Sequence, residues 1–536
     1  MTIRHFALGF GVPLLLAAQA GCASSPRFRD APPVWHVDDE RNIAEPSERI
    51  YDPKQYFANI FVIDRVDRLL QLRDQELAHD INSIEEVPNS TWFTNRIGVR
   101  PVSAQEAARS ADTGGPPRGQ LSVIGAKVGG GNPGFLIQDG TGRKFLIKFD
   151  TEQNPELQTS VGVIVNRIFW TVGYNVPSDH VFDFRKEEVR IKPGATFTNA
   201  QLEKVPFQRS TLDDVLFSVA RRDDGSYRAF ASQLLDGKPR GGFSPHGTRD
   251  DDENDRIRHE HRRSLRGMRV LAAWVNHSDM KEDNTLDMYV TQGDRRFLKH
   301  YFLDFGESMD GHGAEKNRRE DGFENFIDWE MQTRAMFSFG LWKRPWEDVQ
   351  VTEWPSIGAF TSRPFDPFAW REAYPYWPFA EMDLSDGYWG AKLVMRFSRP
   401  MVEAIVAEGK LTDPRAARYL VDTLLARRDA IGRAYFEAVS PLDDFELTRD
   451  QLCMNDLSVR NGFAASGTVE WLDGSSVTME RALPATGRLC VALPKTDAYT
   501  VYRMRVRRGS DRHLPLELHF KGGENARILG LVRVAG

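Results

Sequence analysis

The chain has 536 residues, of which 41 % are hydrophobic and 27 % charged, with a formal net charge of −6. By length and composition this is globular protein of roughly two to four domains with ample core material, which excludes a disordered or fibrous chain. The acidic balance gives no support to nucleic acid as a partner.

At the start, Arg4 and His5 precede an apolar run from Phe6 to Ala18, and small residues lead to Cys22. The run is too short to span a bilayer and reads as a secretion signal over residues 1–22. Residues 23–55 are polar and carry prolines, and read as a tether. From Ile60 to Leu72 apolar residues recur at helical spacing. A Gly/Pro-rich loop follows from Ala111 to Gly119, and then the pattern changes to strands over Leu121–Val128, Gly134–Gln138 and Lys144–Phe149. Gly129-Gly130-Gly131-Asn132 and Asp139-Gly140-Thr141-Gly142 join them, which predicts a three-stranded antiparallel meander.

A helix is expected next. Asn154 is placed to cap it, with Pro155 at its first position. Leu157, Val161, Ile164, Val165, Ile168, Phe169 and Val172 form one apolar face, and Gly173 ends it. A second amphipathic helix is marked by Leu265, Met268, Leu271, Ala272 and Val275. It runs into Asn276-His277-Ser278-Asp279-Met280-Lys281-Glu282-Asp283-Asn284, then a strand with alternating Leu286, Met288 and Val290. A turn at Gln292-Gly293-Asp294 and a returning strand from Phe297 deliver Asp304-Phe305-Gly306.

Residues 387–439 read as helical, with Met401, Ile405, Leu420, Leu424, Leu425 and Ile431 as apolar markers. Beyond Pro441 six short strands are predicted, a β-sandwich or barrel of about 90 residues. Among the three cysteines, Cys453 and Cys490 both fall there, and either pair as a disulfide or remain separate thiols. The run Arg249–Arg263 is dense in mixed charge and reads as a solvated or mobile insertion; its His259-Glu260-His261 offers two histidines for a metal. The aromatic-rich stretch from Phe323 to Trp389 is either core or a substrate platform. No His-Glu-x-x-His, no Gly-x-Ser-x-Gly and no P-loop is present, so the corresponding peptidase, hydrolase and nucleotide-binding signatures are missing.

Two resemblances bear on function. The Leu-rich run ending in Ala20-Gly21-Cys22 resembles a bacterial lipoprotein signal. It implies an exported cell-envelope protein, in the outer membrane or periplasm, with Cys22 lipidated and anchoring the chain to the membrane. Ordinary cleavage after Ala20 would give a free exported protein instead. Second, His277-x-Asp279-x-Lys281-x-x-Asn284 resembles the catalytic loop of protein kinases, Asp304-Phe305-Gly306 their metal-binding triplet, and Lys148, on the third predicted strand, their phosphate-binding lysine. The match covers roughly residues 120–310. It is similar to divergent members of the superfamily, HipA-like and spore-coat-kinase-like, and no Ala-Pro-Glu follows the triplet.

The kinase resemblance implies an α+β, two-lobed fold with a β-rich N-lobe over 56–183 and a helical C-lobe with insertions over 184–440, to which the strand pattern adds an all-β domain over 441–536. It implies ATP and Mg²⁺ as cofactors and a hydroxyl-bearing acceptor as partner. Asp279 would orient the acceptor hydroxyl and take its proton, and Lys281 would neutralise charge on the moving phosphoryl group. Asn284 and Asp304 would hold the metal through hard oxygen donors. Lys148 and the backbone of Gly129, Gly130 and Gly131 would hold the phosphates. Glu156, or alternatively Glu152, would pair with Lys148. The alternative is a pseudokinase, the same fold kept as an envelope-binding module. Singly, each residue also has an ordinary structural explanation, since Asp and Asn favour turns and lysine stems pack on strands.

Overall fold

Alternation along Lys144-Phe145-Leu146-Ile147-Lys148 puts Phe145 and Ile147 on one side of a strand and Leu146 and Lys148 on the other. The computed structural model describes residues 27–70, 76–126, 133–198, 203–312, 318–339, 341–493 and 497–533, and it builds a sheet on that alternation. The strands β1 (Leu121–Ala126), β2 (Gly134–Gln138) and β3 (Lys144–Lys148) form the expected antiparallel meander. They sit inside a seven-stranded sheet with β4 (Asp179–Phe184), β5 (Val189–Thr198), β6 (Lys204–Pro206) and β7 (Tyr227–Gln233), in the order β4-β7-β3-β2-β1-β5-β6. Pairs in this sheet are antiparallel except β1 with β5, which is parallel.

One face of the sheet buries Val123, Phe135, Phe145, Ile147 and Ala229 with Leu212 and Leu216 of the helix Arg209–Phe217. The other face receives α1 (Leu157–Val172), whose Val163 packs on Val181 and Phe230. The cap of α1 differs from expectation. Asn154 and Pro155 precede the helix, and Glu156, at φ 65°, is the residue before its first turn, and its side chain does not cap the helix. The cap comes instead from Asp150, which accepts from the backbone N–H of Glu156 (3.0 Å) and of Thr159 (2.9 Å). A carboxylate just beyond β3 satisfies those free amides as well as an Asn at the helix start would.

Because β5, β6 and β7 complete the sheet, this body ends at Gln233, not at the boundary expected at 183. Residues 234–237 then cross to a three-stranded sheet of β8 (Lys238–Pro239), β9 (Thr285–Gln292) and β10 (Arg295–Phe302). The helical body contains α2 (Met268–Val275), α3 (Leu384–Met395), α4 (Arg399–Glu408) and α5 (Pro414–Ala438), sharing one core with the inner face of α1.

The N-terminal segment is not a free tether along its described length. Phe28 packs edge-on against His519, and Ser47 and Arg49 bond to Asp251 and to the Arg240 carbonyl. The helical pieces Pro53–Ala58, Asn59–Ile63 and Asp64–Leu70 belong to the helical body, where Tyr56, Ile60 and Phe61 meet Ile327 and Tyr374. The charged run 249–263 is likewise not a solvated or mobile insertion. Arg249 pairs with Asp287 (2.9 Å), Arg262 and His259 with Asp255 (both 2.8 Å), and all five are buried. Matched ion pairs let that sequence enter a core that its charge density argues against.

Past residue 441, β11 (Leu442–Leu447), β12 (Gln451–Asp456) and β15 (Arg488–Ala492) form one sheet. A second holds β13 (Thr468–Asp473), β14 (Ser476–Ala482), β16 (Tyr499–Arg508), β18 (Leu516–Lys521) and β19 (Arg527–Arg533), with β17 (Asp511–Arg512) on β16. Both sheets contribute to one apolar core, including Leu452, Val491, Trp471 and Leu518. Cys453 and Cys490 face each other across β12 and β15 and are disulfide-bonded. This domain is held by buried charge: Asp443 accepts from Arg533 (2.8 Å) and Tyr388 (3.0 Å) and pairs with Lys392 (3.1 Å), while Glu85 accepts from the Arg533 backbone (2.7 Å). Among the described residues no helix is long and apolar enough to cross a membrane.

Candidate active site

The site forms where β3, the end of α2 and the end of β10 converge. α2 stops at Asn276, in the left-handed region at φ 47°, where Asn is tolerated and the chain reverses. The side chain of Asn276 is fully used: it donates to Asp310 (2.6 Å) and accepts from the Trp370 indole (2.6 Å). The loop that follows is therefore anchored at its first residue.

His277 is buried and packs on Phe169 and Phe305 at 5.8 and 5.4 Å between ring centres, with a 2.9 Å hydrogen bond between its Nδ1 and Ser308 Oγ. Burial pulls its pKa down to about 4, so the ring is neutral at ordinary pH. It supports the loop and is not placed as an acid or base.

Asp279 is buried and held from two sides. Its Oδ2 accepts from Lys281 Nζ (2.9 Å) and from Asn284 Nδ2 (2.8 Å), and Asn284 also donates to its carbonyl (2.9 Å). Oδ1 is buried with no hydrogen-bond partner, an arrangement that costs free energy unless a donor arrives. Burial alone would lower the Lys281 pKa, but the adjoining Asp279 carboxylate outweighs it and raises it, so this ammonium stays charged. Lys281 Nζ also stands 5.6 Å from the centre of the Tyr374 ring. Glu307 lies close enough that burial first and Asp279 second push its carboxyl pKa upward.

Asp304 follows β10 at φ 58°, ψ 62°, and its Oδ1 lies 2.6 Å from Lys148 Nζ. The backbone N–H of Leu303 donates to the Asn284 carbonyl (2.9 Å), which ties the two candidate metal residues into one corner. A carboxylate and a side-chain amide oxygen fit Mg²⁺, which takes one or two protein oxygens and completes its shell with water and phosphate. Phe305 is buried against Phe169 of α1, 4.7 Å between ring centres.

Of the residues expected at the site, Lys148, Asp279, Lys281, Asn284 and Asp304 come together. Glu156 does not. Its carboxylate accepts from the Thr412 backbone (2.8 Å) and lies 4.0 Å from Arg222 and Arg228, with Lys148 paired elsewhere. Its place at the very start of α1 sets it between Thr412 and Arg228 of β7. Glu152 is exposed in the loop before α1 and is no substitute. Gly129, Gly130, Gly131 and Cys22 lie outside the described residues. His259 is spent on Asp255 (2.8 Å) and the Ser244 carbonyl (2.6 Å), and no cluster of three metal-binding side chains occurs among the described residues.

Two contributors carried no sequence signal. Phe169 reads as one more apolar residue of α1, and only packing shows that it meets Phe305. Asp179 follows Pro177-Ser178 and looks like a strand-start turn residue, yet it is 1 % exposed. Only part of the aromatic stretch 323–389 is core, Phe360, Trp370, Tyr376, Phe379, Tyr388 and Trp389 being buried, while Phe326, Trp329, Phe337, Phe339 and Phe368 are exposed and Phe326 stacks on Tyr374.

No family model matches the chain, and no curated protein matches it. Solved structures of the Golgi casein kinase match at low similarity. The crystal structure with Mn/ADP bound is 9 % identical, covers 76 % of this chain and 94 % of its own, and has a TM-score of 0.29. A second crystal structure of the Golgi casein kinase is 10 % identical over the same shares, with a TM-score of 0.30. A likeness at that level settles neither fold nor chemistry.

Proposed function

We propose that the chain is an exported, kinase-like phosphotransferase that moves the γ-phosphoryl group of ATP to a hydroxyl of a protein, sugar or lipid acceptor. The observation that carries this reading is the buried Asp279 with its free Oδ1, flanked by Lys281 and Asn284 and set in the same corner as the Lys148–Asp304 pair. A binding module needs a cavity, but it has no use for a desolvated carboxylate with one oxygen unpaired.

In the proposed reaction the acceptor hydroxyl donates its hydrogen bond to Asp279 Oδ1, which fixes its lone pair toward the phosphorus. The acceptor oxygen–phosphorus bond forms, the bond from phosphorus to the bridging oxygen breaks, ADP leaves, and the proton ends on Asp279. Lys281 balances charge on the equatorial oxygens, and Lys148 balances the α/β-phosphates. Asp304 and Asn284 would hold Mg²⁺, which when bound shields the phosphate charge. Neutral His277, wedged between Phe169 and Phe305, keeps the loop and the metal-binding triplet in register.

Export with lipidation at Cys22, and attachment to a membrane of the cell envelope, are part of the proposal and rest on the sequence of residues 1–22. Titrating ATP with and without Mg²⁺ while following the melting temperature tests nucleotide binding. A Mg²⁺-dependent rise is expected, and it should vanish in Asp304→Ala. No rise in wild type, or an equal rise in the variant, removes the reading.

A further inference from the structure

Kinase-like chemistry needs Lys148 free to meet phosphate, and it needs Asp304 free to meet a metal. Here the two hold each other at 2.6 Å. Lys148 is largely buried, its side chain 12 % exposed, so it cannot simply turn to water when a metal takes its partner. The usual solution, a glutamate on the helix beside the sheet, is closed. α1 carries no acidic residue, and Glu156 is committed to Thr412.

The sheet register shows where another carboxylate stands. Lys148 pairs across the ladder with Phe230, and Phe230 with Val181. One row along, Leu146 pairs with Ser232, and Ser232 with Asp179. Residues in register share a face, so Asp179 lies on the Lys148 face, toward α1. The offset is two strands, about 10 Å, and one row, about 7 Å, a span that an extended lysine and an aspartate can close between them.

Asp179 is set as a receptor for charge. Its Oδ2 accepts from Asn166 of α1 (2.8 Å), and that Asn166 nitrogen also donates to the Pro177 carbonyl (2.9 Å), which fixes the carboxyl. Its Oδ1 is buried with no hydrogen-bond partner. Burial pushes its pKa up to about 7, opposed by Ser232, Arg167 and Lys148 and reinforced by Asp304. Arg167 and Lys148 are thus the cations whose fields reach it, and among the described residues neither is in direct ion-pair contact with it.

We propose that Asp179 is the positioning residue for Lys148, receiving its ammonium when a divalent cation takes the Asp304 carboxylate. Asp179 then does from strand β4 what a helix glutamate does elsewhere, and metal entry and lysine placement become one event. The inference rests on the metal-binding reading of Asp304.

The test uses Mn²⁺ alone as the probe, its binding to the whole exported chain followed by electron paramagnetic resonance at pH 8. Asp179→Asn is expected to weaken Mn²⁺ binding about tenfold, because Lys148 then has no second carboxylate and competes for Asp304. In a Lys148→Met background the same substitution should change Mn²⁺ binding by less than about twofold, since the competitor is gone. A carboxylate that served only Arg167, or only the fold, would lose the same factor in both backgrounds, and that result overturns the proposal, as does no effect in wild type. Should Asp179→Asn not fold, Asp179→Leu removes the charge and leaves no polar group in the sheet. Asp304→Ala separates the two failures. If it leaves Mn²⁺ binding intact, the metal site and this inference both fall. If it abolishes binding while Asp179→Asn does nothing, only the role of Asp179 falls.

Discussion

The ring of Phe305 lies 4.7 Å from that of Phe169, which joins the Asp304-Phe305-Gly306 triplet to the last turn of α1. His277 touches both rings, so the loop after α2, the triplet and the helix share one buried contact. Rotation of any one of the three would open a hole in the core between the two bodies.

Phe169→Ala should therefore cost about 3–5 kcal/mol of stability, the usual range for a fully buried Phe. It should also weaken any Mg²⁺–ATP stabilisation, because Asp304 loses its brace. Urea unfolding and the nucleotide melting shift measure the two effects. Phe169→Leu, which refills most of the space, should recover the larger part of both.

Asp279→Asn keeps the shape of the loop and removes the proton acceptor. Phosphoryl transfer is expected to fall by about 10²–10⁴-fold. Nucleotide-dependent stabilisation should persist, because Lys148, Asn284 and Asp304 are untouched. Single-turnover transfer from labelled ATP reads the first quantity and a melting shift the second. Turnover equal to wild type would assign the chemistry elsewhere.

Stability should decline as pH rises from about 6.5 to about 9. Burial alone would lower the His312 pKa, but contact with Asp321 and the field of Glu307 outweigh it and hold it at about 9. A histidine whose folded pKa lies above its unfolded value contributes stability that is complete below the unfolded value. That contribution is lost as pH climbs through the folded one. Asp310 acts in the same direction, since burial first and Asp321 second raise its carboxyl pKa to about 8. The expected loss is on the order of 1–3 kcal/mol, read by chemical unfolding across that range, and His312→Gln should flatten it.

Asp443→Ala should loosen the C-terminal domain from the helical body. Burial would raise the Asp443 pKa, but Lys392 and Arg533 outweigh it and hold its carboxyl far below the ordinary range. Removing it leaves Lys392 with Glu86 and Arg533 with Glu85 but deletes the carboxylate that the two cations and Tyr388 share, a loss of about 1–3 kcal/mol. Limited proteolysis should then cut near residue 440 ahead of other sites, and a separate unfolding transition for the β-domain should appear.

Much of the local structure could be read directly from the residues. The meander β1–β3, the helix from Leu157, the β9–β10 hairpin and most C-terminal strands follow from alternation, helical spacing and glycine turns, which are properties of neighbours in the chain. The order of Lys148, Asp279, Lys281, Asn284 and Asp304 along those elements was legible for the same reason. Tertiary structure decided what each side chain faces. It gave Lys148 to Asp304 and Glu156 to Thr412, and it buried the run 249–263 by matching its charges. It also drew the N-terminal segment onto the body and set Asp179 on the Lys148 face of the sheet. Periodicity reports which face of an element is apolar, whereas the partner of a charge depends on strand order and on side chains brought together from distant parts of the chain, which no local pattern encodes.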